Sequence, residues 1–192
     1  MPGDRARSRA GAFWGVAIAV VALDIITKQL AVTLLSPAYE PHRVAGNAVR
    51  FTLVYNPGAA FSLYLGPSSR RIFIALTMAA LAVLAALYQT TRRTDTLRFV
   101  ALGLVSGGAI GNLLGRVRRP LGVVDFIDLG LRGTRFWTFN VADMGVTFGA
   151  VLLAMVFWRH ESVPDGAPCD VASDVVSDAV SDAPDEQPDD EA

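Results

Sequence analysis

Four long apolar stretches constrain the fold of this chain more than any other feature. A helix needs about 20 mostly apolar residues to cross a bilayer, and stretches close to that length lie at about 11–35, 71–90, 98–116 and 137–158. Only 18% of the residues are charged and the mean hydropathy is +0.40, which is too apolar for an ordinary soluble domain. The sequence therefore predicts an all-α membrane protein with four transmembrane helices.

An even number of helices places both termini on one side of the membrane. Three arginines crowd the first nine residues and three more lie between residues 92 and 98. Dense arginine in short segments is typical of the cytoplasmic side. We therefore expect cytoplasmic termini, with segments 36–70 and 117–136 outside the cytoplasm. By simple count the outer side would hold nine arginines and the inner side seven, so the outer excess needs an explanation.

Residues 48–55 alternate between two sets of side chains with a period of two, which is typical of a half-buried strand. One set is fully apolar and includes Phe51, Leu53 and Tyr55. The turn residues Asn56, Pro57 and Gly58 follow and would end the strand. We expect a small extracytoplasmic β platform whose apolar face lies on the lipid headgroups.

Charge divides the chain into a membrane domain at 1–160 and an acidic tail at 161–192. The tail holds 11 of the 18 acidic residues and none of the 17 basic ones, which predicts a disordered cytoplasmic segment. The membrane domain has 17 basic and 7 acidic residues, a balance of +10 that suits membrane phospholipids and gives no indication of nucleic acid binding. A single cysteine, Cys169, and two separated histidines predict no disulfide, no metal site and no cofactor.

Two charges interrupt the first apolar stretch. Asp24 and Lys28 are four residues apart, so they share one face of a helix and reduce each other's cost inside a membrane. An internal salt bridge that holds the first helix to its neighbours is the simpler interpretation. A direct role in chemistry is the alternative.

The third stretch carries two lines of small or polar residues at a spacing of four. One line consists of glycines, at 103, 107, 111 and 115, and allows another helix to approach closely. The other line contains Gly108, Asn112 and Arg116. Asn112 and Arg116 have two interpretations. They cap the end of the helix, with the arginine reaching the membrane interface, or they belong to a functional site.

The fourth stretch is broken only by Asp143, which shares a helix face with Asn140 and Thr147. A carboxylate near a helix N-terminus is favoured by the helix dipole, but this does not explain Asp125 and Asp128 in the preceding segment. Two carboxylates held close together would share one proton, as acid–base activation of water requires. The residues alone leave an aspartate-dependent membrane hydrolase and a carboxylate-dependent proton or ion carrier equally open. A Ser106–Lys28 dyad has no support from spacing.

Five short blocks in order resemble the signal peptidase II family, the bacterial prolipoprotein signal peptidases. The blocks are DIITK at 24–28, NPGAAFS at 56–62, GGAIGNLLGRV at 107–117, VVDFID at 123–128 and FNVADMG at 139–145. The resemblance implies an aspartic endopeptidase of the bacterial inner membrane, without metal, whose active site lies near the extracytoplasmic face. It also implies the substrate, a prolipoprotein cut just before a cysteine that carries diacylglycerol, and inhibition by globomycin-type lipopeptides.

The resemblance also implies roles for particular residues. Asp125 and Asp143 match the catalytic aspartates. Residues matching positions that bind substrate or support this pair are Asn56, Asn112, Arg116 and Asn140. Residues matching positions needed for structure or activity are Asp24, Lys28, Gly58 and Gly108.

One position departs from the family pattern. The residue before Arg116 is usually Asp in the family and is Gly115 here, which we interpret as an extension of the glycine line. Two alternatives to the protease are retained. One is a small proton-coupled carrier that uses Asp24, Lys28 and Asp143, and the other is a non-enzymatic scaffold.

Overall fold

The computed structural model of the chain describes residues 2–57, 59–60, 63–64, 66, 68–92, 94–131 and 134–161. The chain separates into two compact units, Met1–Trp158 and Arg159–Ala192. Within the second unit only residues 159–161 are described, and they complete the last helix. The predicted disordered tail therefore lies outside the described residues from Ser162 onward, and so does Gly58.

Among the described residues, four helices are long and apolar enough to cross a membrane, as predicted. They are α1 (Pro2–Leu34), α2 (Ser69–Thr90), α3 (Thr96–Arg118) and α4 (Val141–Glu161). The apolar parts of α1 and α4 are Gly11–Leu34 and Val141–Trp158. The expected start of the fourth helix at residue 137 is wrong. The segment before Val141 is extended because Phe139 exchanges backbone hydrogen bonds with Ile127.

Six strands lie at one end of the helices. In chain order they are β1 (Pro41–Ala45), β2 (Val49–Asn56), β3 (Ala59–Ala60), β4 (Leu63–Tyr64), β5 (Val123–Leu131) and β6 (Thr134–Arg135). Four of them form an antiparallel sheet in the order β1-β2-β5-β6, and β3 pairs with β4. The strand predicted at 48–55 is confirmed as β2. The central strand β5 was not predicted.

The missing prediction of β5 has a physical explanation. Residues 123–128 are buried on both faces except for the half-buried Ile127, so the strand has no polar face that alternation could reveal. Two of the buried residues are the carboxylates Asp125 and Asp128, which lower the apparent hydrophobicity of the segment. The β-branched residues Val123, Val124 and Ile127 favour a strand and were the sequence feature that could have predicted β5.

The apolar face of β2 packs within the protein. Leu53 is 1% exposed and belongs to a cluster with Ala31, Val124 and Phe126, while Phe51 is partly buried against the same cluster. The sheet is thus fixed to the end of α1. The expectation that this face lies on lipid headgroups is wrong, because α1 and β5 already cover it.

The glycines of α3 make two different helix contacts. A Cβ on Gly103 or Gly107 would lie 2.8 Å from a backbone oxygen of α1, so these two glycines allow α1 to pack closely. On the adjacent face, a Cβ on Gly108 would overlap the carbonyl oxygen of Ala142 in α4. Gly115 differs, because its nearest neighbour would be Val123 Cγ2 at 3.6 Å. The interpretation of Gly115 as an extension of the close helix contact is therefore wrong.

These contacts predict opposite outcomes for two matched substitutions in α3. Gly108→Ala should destabilise the protein by about 1–3 kcal/mol, because the new methyl group meets the backbone of α4. Gly115→Ala meets only ordinary van der Waals contacts and should be neutral or stabilising. Thermal unfolding of the purified protein in detergent measures both. Equal stability of the two variants would contradict the packing described here.

Candidate active site

A buried ion pair ties α1 to α3 and α4. Asp24 and Lys28 are 0% and 6% exposed, and Lys28 Nζ lies 2.7 Å from Asp24 Oδ2. Lys28 Nζ also donates to Asn112 Oδ1 in α3 at 3.0 Å, and Asp24 Oδ1 accepts from the backbone N–H of Ala142 in α4 at 3.0 Å. The predicted salt bridge is therefore present, and its partners lie on two other helices.

The N-terminus of α4 is capped by a reciprocal pair. Asn140 Oδ1 accepts from the backbone N–H of Asp143, and Asp143 Oδ2 accepts from the backbone N–H of Asn140, each at 3.1 Å. This is the geometry of a capping box. Asp143 thus lies in the first turn of α4, closer to the helix start than a span beginning at residue 137 would place it. Its other oxygen, Oδ1, accepts from Asn112 Nδ2 at 2.7 Å.

Asn140 also contacts the second carboxylate. Its Nδ2 donates to Asp125 Oδ1 at 2.6 Å, and Asn56 Nδ2 donates to Asp125 Oδ2 at 3.1 Å. Asn140 is 0% exposed and Asp125 is 4% exposed. Asp125 and Asp143 are therefore joined through one residue, and each of their four oxygens accepts a hydrogen bond from an N–H group.

Backbone pairing explains why these residues meet. Phe139 bonds to Ile127 of β5, which brings the following residue, Asn140, beside Asp125. Gly122, with φ of +102°, lies where a Cβ would overlap the backbone carbonyl of Asn56. A glycine here lets the end of β2 lie directly against the start of β5.

Burial changes the protonation of Asp125. The pKa of its carboxyl is raised to about 7, chiefly because burial disfavours the charged form and secondly because Asp143 is a nearby negative charge. Hydrogen bonds from Asn56 and Asn140 and the charge of Lys28 oppose this increase. At neutral pH a proton is therefore available on this carboxyl.

Asp128 belongs to a different environment. Arg135 donates to both of its oxygens, at 2.8 and 2.7 Å, and Thr52 donates at 3.3 Å. The hydrogen bond from Arg135 lowers the pKa of Asp128. Of the two upstream carboxylates, Asp125 joins the network around Asp143 and Asp128 forms a structural ion pair. Arg135 is the partner in that pair.

Arg116 lies at the end of α3, outside the hydrogen-bonded network. Its guanidinium lies 5.5 Å from the ring centroid of Phe73, and its Nε is buried without a hydrogen-bond partner among the described residues. Asp143 and Asp125 are the acids that interact with its charge.

Sequence analysis missed one residue that contacts the end of α3. Arg70 Nε donates to the carbonyl oxygen of Arg116 at 2.7 Å, and no motif marked it.

The described part of the chain gives no support for a Ser–Lys dyad or for a metal site. Lys28 Nζ is engaged by Asp24 and Asn112, and Ser106, buried in α3, forms no hydrogen bond with it. No group of three or more metal-ligating residues occurs among the residues described. The network contains what water activation requires, namely two adjacent carboxylates, one of which carries a proton near neutral pH.

Comparison with known proteins gives a consistent result. The family model described as signal peptidase (SPase) II matches residues 16–159. A lipoprotein signal peptidase of Mycobacterium avium is 41% identical over 162 residues, which cover 81% of this chain and 83% of that protein. A lipoprotein signal peptidase of Hydrogenovibrio crunogenus is 40% identical over 152 residues, which cover 76% of this chain and 87% of that protein.

A solved structure is also similar. A bacterial membrane enzyme determined by the in meso method at 2.3 Å resolution has a TM-score of 0.71 and 28% identity. The likeness covers 79% of this chain and 90% of that one. The arrangement of four helices and a small antiparallel sheet is therefore shared with a known membrane enzyme.

The buried ion pair predicts a specific pattern of stability. Lys28→Met should destabilise the protein by about 3–5 kcal/mol, because it leaves the charge of Asp24 buried without compensation. The double variant Asp24→Asn, Lys28→Met should recover part of that loss, because Asn has no charge and its Oδ1 can still accept from Ala142. Thermal unfolding in detergent tests both. A double variant less stable than Lys28→Met would show that the pair is not coupled in this way.

Proposed function

The chain belongs to the signal peptidase II family, and we propose that it is an aspartic endopeptidase that removes the signal peptides of prolipoproteins. Asp125 and Asp143 form the catalytic pair in this proposal. The observation that carries it is the position of Asn140, whose side chain donates to Asp125 and whose backbone N–H donates to Asp143. Two carboxylates joined in this way can act together on one water molecule and one peptide bond.

The proposed reaction assigns different roles to the two carboxylates. Asp143 takes a proton from the attacking water, whose oxygen bonds to the scissile carbonyl carbon. Asp125, neutral at the start, gives its proton to the carbonyl oxygen. Collapse of the tetrahedral intermediate breaks the C–N bond: Asp143 gives its proton to the leaving nitrogen, and Asp125 recovers a proton from a hydroxyl of the intermediate, which restores both carboxyls to their starting states. Burial favours the neutral form of Asp125, which fits its assignment as the proton donor.

The position of the pair fits a substrate that is anchored in lipid. Asp143 lies in the first turn of an apolar helix and Asp125 lies in the adjoining sheet, so the pair is at the boundary of the apolar span. A prolipoprotein with a diacylglyceryl cysteine has its cut site at a comparable depth. We propose cleavage just before that cysteine, on the extracytoplasmic face of a bacterial membrane, with both termini in the cytoplasm and with inhibition by globomycin-type lipopeptides.

Neighbouring residues have supporting roles in the proposal. Arg116 is the candidate for substrate binding, because its guanidinium lies near both carboxylates and has an unpaired Nε. Asn56, Asn112 and Asn140 hold the carboxylates. Asp24 and Lys28 act indirectly, since they fix Asn112 and the start of α4. Because this ion pair is satisfied by structural partners, a carrier that uses Asp24 and Lys28 is not favoured.

Three Asp→Asn substitutions test the catalytic assignment. Asp125→Asn and Asp143→Asn should each lower cleavage of a diacylglyceryl-modified precursor by at least about a hundredfold, because each removes one acid–base group. Asp128→Asn is the matched control, since Asp128 lies in the same strand and binds Arg135 instead. It should retain most of the activity.

The assay is gel or mass-spectrometric detection of the released signal peptide, with thermal unfolding as the check on folding. Unmodified precursor, without the lipid, should be cut poorly. Full activity of a folded Asp125→Asn or Asp143→Asn variant would refute the catalytic pair. Efficient cleavage of unmodified precursor would refute only the requirement for the lipid.

The raised pKa of Asp125 predicts the alkaline limit of activity. The proton that Asp125 donates is present below its pKa of about 7 and is lost above it, so kcat/KM, which reports the free enzyme, should fall as pH rises through about 7. The rate of cleavage of lipidated precursor, measured from pH 5 to pH 9, tests this. That range extends about two pH units to either side of the pKa. Rates that keep rising to the alkaline end would contradict the assignment of Asp125 as the acid.

A further inference from the structure

A second charged feature lies beside the network, where α2 begins and α3 ends. Five arginines occupy two short segments there, and we call them the arginine seam. They are Arg70, Arg71, Arg116, Arg118 and Arg119. The sequence has no Asp or Glu between Pro41 and Thr94 or between Thr96 and Val124. The seam therefore has no acidic neighbours along the chain.

Two contacts hold the halves of the seam together. Arg70 donates to the carbonyl oxygens of Arg116 and Val117, at 2.7 and 3.0 Å, and so caps the end of α3. The guanidinium of Arg116 lies over the ring of Phe73 in α2. The ends of α2 and α3 are thus in direct contact, and the positive charges of both helices are concentrated in one place.

Among the described residues, the partners of Arg71 and Arg119 are neutral. The side chain of Arg71 is exposed and donates to Ser68 Oγ at 3.1 Å. Arg119 donates to Gln29 Oε1 at 3.1 Å, and Arg118 is exposed. The ion pairs recorded for the described residues are Lys28–Asp24 and Arg135–Asp128, neither of which involves the seam.

Apolar surface continues from the seam along the helices. Ile72 and Leu76 of α2, Val117 of α3 and Leu121 just beyond it all expose large fractions of their side chains. Uncompensated guanidinium groups at the end of a membrane span, next to exposed apolar side chains, match the two parts of a phospholipid. A soluble anion would use only the first part.

We infer that the arginine seam binds an anionic phospholipid, with its headgroup at Arg71 and Arg118 and its acyl chains along α2 and α3. Net negative charge is required because a zwitterionic headgroup brings a cation that offsets its phosphate. Arg70 is excluded as a headgroup ligand since its donors cap α3. This inference does not depend on the proposed peptidase activity.

Lipid binding by the full-length protein tests the inference. Native mass spectrometry of the detergent-purified protein would compare affinities for phosphatidylglycerol and phosphatidylcholine of matched chain length. We expect clear preference for phosphatidylglycerol, and the variant Arg71→Gln, Arg118→Gln should lower its affinity by about tenfold. Arg71→Lys, Arg118→Lys keeps the charge and should keep most of the preference. Thermal unfolding confirms that each variant is folded.

Two controls decide whether the effect is local and whether it needs the lipid. Arg43→Gln removes an equally exposed arginine from β1 and should leave phosphatidylglycerol affinity unchanged. Glycerol phosphate should not compete at concentrations that match the lipid. Equal affinity for both lipids, an equal loss in Arg43→Gln, or full competition by glycerol phosphate would each overturn the inference.

Discussion

The site depends on one buried residue, Asn140. Its side chain donates to Asp125 and caps α4, and its backbone N–H donates to the carboxylate of Asp143. A buried carboxylate without such donors would be costly, whereas a carboxylate with N–H donors on both oxygens is stable. Because Asn140, Asn56 and Asn112 together donate to all four carboxylate oxygens, the two acids can lie close to each other.

The remaining elements bring that amide and its partners to one point. The sheet supplies Asp125 and Asn56, α3 supplies Asn112, and α4 supplies Asp143. Lys28 fixes Asn112 from α1, and the glycines of α3 let these helices approach closely enough for the bonds to form. The residues that donate to the carboxylates, Asn56, Asn112 and Asn140, thus come from three separate parts of the chain. Their geometry is a property of the whole fold and cannot be assigned to a local motif.

Sequence reasoning recovered the parts of this fold that depend on local periodicity. The four spans, β2 and the Asp24–Lys28 pair follow from apolar length, alternation and a spacing of four. It missed β5 because a strand buried on both faces has no period of two, and it misplaced the start of α4 because Phe139 bonds to Ile127, a contact between distant residues. The residues alone did not separate Asp125 from Asp128; the family resemblance singled out Asp125, and the structure shows that Asp128 pairs with Arg135.

The arginines show that the number of charges on each side of the membrane does not reveal what those charges contact in the structure. Nine arginines were assigned by sequence to the side of the sheet, which weakens the inference of cytoplasmic termini. Three of the nine arginines form hydrogen bonds or ion pairs within the protein. Arg70 caps α3, Arg135 pairs with Asp128, and Arg50 is partly buried and donates to Asn47. Arg71 and Arg118 have exposed side chains and no acidic partner among the described residues, which is why the lipid headgroup is assigned to them.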